Sequence, residues 1–191
     1  MHRIREQSDF ASGVSSESGC DVKNFLAGSL CAIMFLAIAL AAYLGLGFMD
    51  VAADQRPSAR EAAFMTASLR ASVRRRAPQI QNPLPNSDDT LITGGKLYLN
   101  DCVGCHGEPG QPPSEFGATF YPPAPQFPSA GTQFSEAQIF WVAKNGIRMT
   151  GMYPQGASYS DSQLWSLAAF ISRARNLPPA VVKAMQPRPS K

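Results

Sequence analysis

Five consecutive residues, Cys102, Val103, Gly104, Cys105 and His106, place two thiols and an imidazole in one short stretch. At this spacing each thiol can form a thioether to one vinyl group of a single porphyrin, and the histidine that follows can offer its imidazole to the iron. The pattern is that of covalent haem c attachment through Cys102 and Cys105, with His106 as an axial ligand. A dithiol redox pair would sit beside a βαβ pattern, whereas the flanking residues read as helix and Pro-rich loop. A structural zinc site takes four Cys or His ligands, yet Cys102, Cys105 and His106 are the only such residues after position 50. The pattern occurs once, so one haem is expected.

The remaining axial donors are few. The only other histidine is His2, on the far side of a long apolar run, which disfavours bis-histidine ligation. Met149 and Met152 remain as candidates, and Met185 lies far out in the tail. A thioether ligand favours ferrous iron and raises the potential relative to two histidines.

The stretch Gly94-Gly95-Lys96-Leu97-Tyr98-Leu99-Asn100-Asp101-Cys102-Val103-Gly104-Cys105-His106-Gly107 resembles the first helix and haem motif of class I c-type cytochromes. Gly94 and Tyr98 fill the places where that family usually has a glycine and an aromatic. Asn145-Gly146-Ile147-Arg148-Met149-Thr150-Gly151-Met152 is similar to the segment that brings the family's axial methionine to the iron, and a closing helix carries Trp165 and Phe170. The resemblance implies His106 and Met152 as iron ligands, with Met149 a packing residue of the pocket. It departs at Tyr153, where the family commonly has proline directly after the methionine. It also implies that a proline carbonyl accepts the Nδ1 proton of the proximal histidine, and Tyr121-Pro122-Pro123-Ala124-Pro125 is the tract expected to supply it.

The elements that must hold these residues read as helices only. The fold class expected is all-α, a small class I cytochrome c fold of short helices around one haem, preceded by a single transmembrane helix and a tether. Residues 88–178 form the haem domain. Its first helix spans about Asp88 to Asp101, with Gly94 allowing another helix to cross closely despite the roughly 1 kcal/mol that a mid-helix glycine costs. A second starts at a Ser135/Gln138 capping box, with Phe134 and Ile139 placed as a hydrophobic staple, and stops at Asn145-Gly146. A third starts at Ser160/Gln163 and runs toward Asn176 and Pro178. Trp141, Trp165 and Phe170 read as core. Between Gly107 and Phe134, seven prolines remove donors and leave a long loop.

Upstream, Met1 to Asn24 is polar and expected to be disordered, with 1–23 the N-terminal segment and 24–50 an anchor. Phe25 to Met49 contains no charge over 25 residues; as a helix it would be roughly 37 Å long, enough to cross a hydrocarbon core. A cleaved signal peptide competes, since Val51-Ala52-Ala53 is small, but its apolar region should be shorter. Cys20 and Cys31 carry no lipoprotein pattern. Lys and Arg near the span are too evenly placed to orient it; the resemblance implies a cytoplasmic N-terminus and a periplasmic haem domain on a bacterial inner membrane. Residues 51–87 read as an amphipathic helix, capped by Ser58 and Glu61 and ending in Arg74, Arg75 and Arg76, and then as a Pro-rich spacer. Residues 179–191 read as a partly disordered tail.

Charge narrows the function classes. The whole chain has 17 Lys and Arg against 14 Asp and Glu, while residues 88–178 carry five against seven, a net of −2. No groove-reading basic motif points to nucleic acid, and no strong steering toward an acidic partner is implied. The expectation is an electron-transfer protein, not itself an enzyme, that passes single electrons between redox partner proteins, whether as a carrier or as a subunit of a respiratory or dehydrogenase complex. A gas sensor or peroxidase with a dissociable methionine is the alternative.

Overall fold

The computed structural model describes residues 17–49, 51–52 and 55–185, and these form helices and loops with no strand. Two compact units divide at Ala52/Ala53.

The first unit is one helix, α1 (Glu17–Gly45), whose stretch Val22–Gly45 is long and apolar enough to cross a membrane. Phe25, Leu30, Phe35 and Leu36 are all exposed along it. The helix begins earlier than expected, taking in the polar turns from Glu17 to Asn24; the rest of the N-terminal segment lies outside the described residues. It also ends earlier, four residues short of Met49. Gly47 takes the left-handed φ of 76°, Gly47 N–H bonds to Leu44 O and Phe48 N–H reaches back to Tyr43 O. That pair of bonds is a Schellman stop, and the Tyr43 and Phe48 rings, 6.1 Å apart, make its apolar contact.

The second unit contains α2 (Ala59–Arg76), α3 (Asp88–Asp101), α4 (Val103–His106), α5 (Glu115–Ala118), α6 (Phe127–Ala130), α7 (Glu136–Asn145), α8 (Asp161–Arg173) and α9 (Pro179–Met185). Its core is α8 gripped between α3 and α7. Ser135 and Ser160 each close a capping box with Gln138 and Gln163, so both helices start where the sequence places them. The Phe140 and Trp165 rings stack at 4.3 Å between α7 and α8, and Tyr98 meets Phe170 at 5.2 Å between α3 and α8. Trp141 departs from expectation: it is only half-buried, because it lies off the Ile139, Phe140, Ala143 stripe that faces the core.

Gly94 is where α3 and α8 touch. A Cβ there would lie 2.0 Å from the backbone oxygen of Ser166, and backbone cannot swing away as a side-chain tip can. Gly94→Ala should therefore cost more than the roughly 1 kcal/mol that alanine returns in helix propensity, a net loss of about 1–3 kcal/mol by the usual scale of overpacking. Thermal melting of the intact protein checks this, the expected result being a fall of several degrees.

Two segments expected to be loose are packed. In α2, Val73 is fully buried, and beyond it Asn82 donates to Glu136 Oε2 at 2.7 Å and to the Trp165 carbonyl at 3.1 Å. The Pro-rich stretch, expected as a semi-rigid spacer, is thus seated on α7 and α8. At the other end α9 buries Val181 against Leu91 and Ala169, so the packed domain continues past Pro178.

Glu136 holds this strap. It accepts from Asn82, from Arg173 at 2.7 Å and from Ser172 at 3.0 Å. Burial alone would raise its carboxyl, but these donors and the Arg173 charge together hold it below the ordinary carboxylate range. A carboxyl whose folded value lies below its unfolded one stabilises the fold at neutral pH, and that contribution is lost as the pH falls through the folded value. Glu136→Gln should lower stability at neutral pH by about 1–2 kcal/mol through loss of charge-assisted bonds. Melting the variant and the wild type in parallel should show the gap narrowing in acid.

Candidate functional site

The site is built where α3 gives way to α4. Cys102 caps α3 through its N–H to Tyr98 O at 2.9 Å, and its own carbonyl accepts from His106 N–H at 2.9 Å. One helical turn thereby returns Cys105 and His106 to the side of Cys102. Gly107, with φ 83°, ends the turn. The fully buried Tyr98 holds it from below, its hydroxyl donating to Gly107 O at 2.6 Å with His106 O at 3.1 Å. The expected family position of the aromatic acquires a physical role here, tying the last turn of α3 to the haem motif.

Both thiols are unpaired and half-buried. Burial, then the nearby charges of Asp101 and Cys105, push the Cys102 thiol up to about 12.

His106 is fixed by its surroundings. Its Nδ1 lies 2.8 Å from Pro125 O, and its ring stacks on Phe127 at 4.6 Å. A carbonyl can only accept, so Nδ1 carries the proton and Nε2 presents a lone pair. Burial lowers the imidazole's pKa, more than the Pro125 bond raises it, which keeps the ring neutral. Of the prolines in the tract singled out from sequence, Pro125 is the one that bonds.

The methionine segment follows α7, stopped by Gly146 at φ 68°. Ile147 N–H bonds to Met152 O at 2.8 Å, while Thr150 Oγ1 donates to Ile147 O at 2.8 Å and accepts from Met152 N–H at 3.1 Å. This closed loop separates the two thioethers. Met152 is half-buried, whereas Met149, with φ 60°, is 93% exposed. Gly151 lies against the Phe120 ring, where a Cβ would come within 2.7 Å. Met152's segment and His106 therefore meet the same loop, one at Phe120 and the other at Pro125 and Phe127.

The donor set fits haem c: two thiols one turn apart, a neutral imidazole with Nδ1 engaged, and a thioether on a segment meeting the same loop, beside the aromatic rings of Phe116, Phe120 and Phe127. Among the described residues no group of three His, Cys, Asp or Glu side chains gathers to hold a bare metal ion. Sequence reasoning missed the supports in the loop. Ser114 donates to Gly104 O at 2.5 Å, and Gln126 bridges the loop to Cys105 O at 2.9 Å. A serine followed by glutamate is a capping signal, which could have found Ser114 as the N-cap of α5; nothing local marks Gln126.

Residues 89–171 match the family model described as cytochrome C oxidase, cbb3-type, subunit III. No curated protein matches the chain.

Proposed function

With residues 89–171 a c-type cytochrome domain that carries covalently bound haem c and transfers electrons, we propose that the chain is a membrane-tethered, one-haem carrier with His/Met ligation. Cys102 and Cys105 would hold the haem, and His106 and Met152 would ligate its iron. When bound, the haem supplies a one-electron couple. The observation that carries this reading is the bond from His106 Nδ1 to Pro125 O, which orients the ring and raises its basicity as a ligand. Met152 is favoured over Met149 by its half-buried place beside Gly151 and Phe120. With His106 and Met152 as its ligands the iron would offer no open site to substrate, and the residues around the site would orient those ligands and exclude water.

In this reading α1 is the anchor, the N-terminus is cytoplasmic and the haem domain works in the periplasm of a bacterial inner membrane. The partners are redox proteins, and the oxidase named in the family description makes a terminal oxidase the first partner class to try. The test is to make the full chain in a host that matures c-type cytochromes and to extract its membranes with alkaline carbonate. The haem-stained chain should stay in the pellet, and protease added to spheroplasts should reach the haem domain. A soluble mature chain starting near Asp54 would overturn the anchor.

A further inference from the structure

The Pro125 carbonyl that orients His106 belongs to a stretch unable to brace itself. Pro122, Pro123 and Pro125 have no N–H to donate, and Ala124 N–H is already spent on Gly117 O at 2.9 Å. The next side chain supplies what the backbone lacks. Gln126 Nε2 donates to Ala124 O at 2.9 Å and to Cys105 O at 2.9 Å, while its Oε1 accepts from Ser114 N–H at 2.7 Å. Only this orientation of the carboxamide satisfies two carbonyls and one N–H at once.

The amide therefore brackets the bond between His106 and Pro125. It grips Cys105, the residue before the histidine, and Ala124, the residue before the proline, and its own backbone follows Pro125. Two glycines make room for it. A Cβ on Gly107 would come within 2.7 Å of Gln126 Oε1, and one on Gly117 would sit 3.0 Å from Nε2 and 1.9 Å from Cys105 O.

We infer that Gln126 is a positioning residue for the haem iron: by fixing Pro125 against the haem-attachment turn, it sets the strength of the His106 Nδ1–H bond and hence the reduction potential. This rests on His106 being an axial ligand, as proposed above. A firm bond to Nδ1 makes the imidazole a stronger donor, which favours ferric iron; loosening it favours ferrous iron and raises the potential.

The experiment uses the full-length, haem-loaded chain in detergent, as wild type, Gln126→Leu and Gln126→Asn. Leucine removes all three bonds at similar volume, and asparagine keeps the amide on an arm too short to span them. Both variants should keep covalent haem, exchange the His106 Nδ1 proton faster by NMR of the ferrous form, and shift the ferrous-to-ferric balance about tenfold toward ferrous, which for one electron is about 59 mV upward. If Gln126→Leu yields no loaded protein, Gln126→Asn carries the same readouts. Unchanged potential and exchange with a lowered melting temperature would leave Gln126 a structural brace and overturn the inference, as would loss of haem from both variants. A wild-type protein whose iron is not bound by His106 would instead overturn the ligand reading, and this inference with it.

Discussion

Changing Cys102 and Cys105 together to alanine should abolish the haem-stained band after denaturing electrophoresis. Thioethers survive unfolding, whereas axial bonds to His106 and a methionine do not, so only the two sulfurs can keep haem on a denatured chain. The surrounding fold gives this test a clean reference. The Cys102 and Cys105 thiols are half-buried and form no disulfide, and the α4 turn is closed by backbone bonds and by the Tyr98 hydroxyl, none of which needs a thiol. The variant should therefore still accumulate as a helical protein. A stained band of wild-type intensity would mean that the haem is held elsewhere.

Met152→Ala should keep the covalent haem but remove the near-infrared sulfur-to-iron charge-transfer band of the ferric form. It should also lower the potential, on the order of 0.1 V or more, since a thioether axial ligand favours ferrous iron. Met149→Ala should do neither. Both methionines sit in one loop after Gly146, but the loop's bonds through Thr150 leave Met149 at an exposed, left-handed corner and Met152 half-buried. If Met149→Ala removes the band and Met152→Ala retains it, the loop turns over on loading and the ligands are exchanged. If neither does, the sixth position is open, and a sensor or peroxidase becomes the better account.

Much of this architecture could be read locally. The Ser135 and Ser160 capping boxes need only four residues each, and both helices begin where those boxes stand. Gly94 signalled a crossing because a mid-helix glycine needs a reason, and Ser166 is that reason. What escaped depends on contacts distant in sequence. Asn82 finds Glu136 and Trp165 across the fold, so a Pro-rich stretch that reads as a spacer is in fact a strap. Val181 becomes buried only once Leu91 and Ala169 are assembled, and no periodicity in a seven-residue helix could announce that. The choice of Pro125 is of the same kind, since five residues of nearly equivalent tract differ only in where Gln126 and Gly117 pin them. Even the end of α1 turned on one local feature that hydropathy overrides, the Schellman stop at Gly47.

The central claim, a single closed haem that carries one electron at a time, is tested most directly by an optically monitored redox titration of the full-length protein with and without carbon monoxide. The account predicts a single one-electron wave, of amplitude matching one haem per chain, that carbon monoxide leaves in place. A wave displaced by carbon monoxide, or more than one wave, would contradict it.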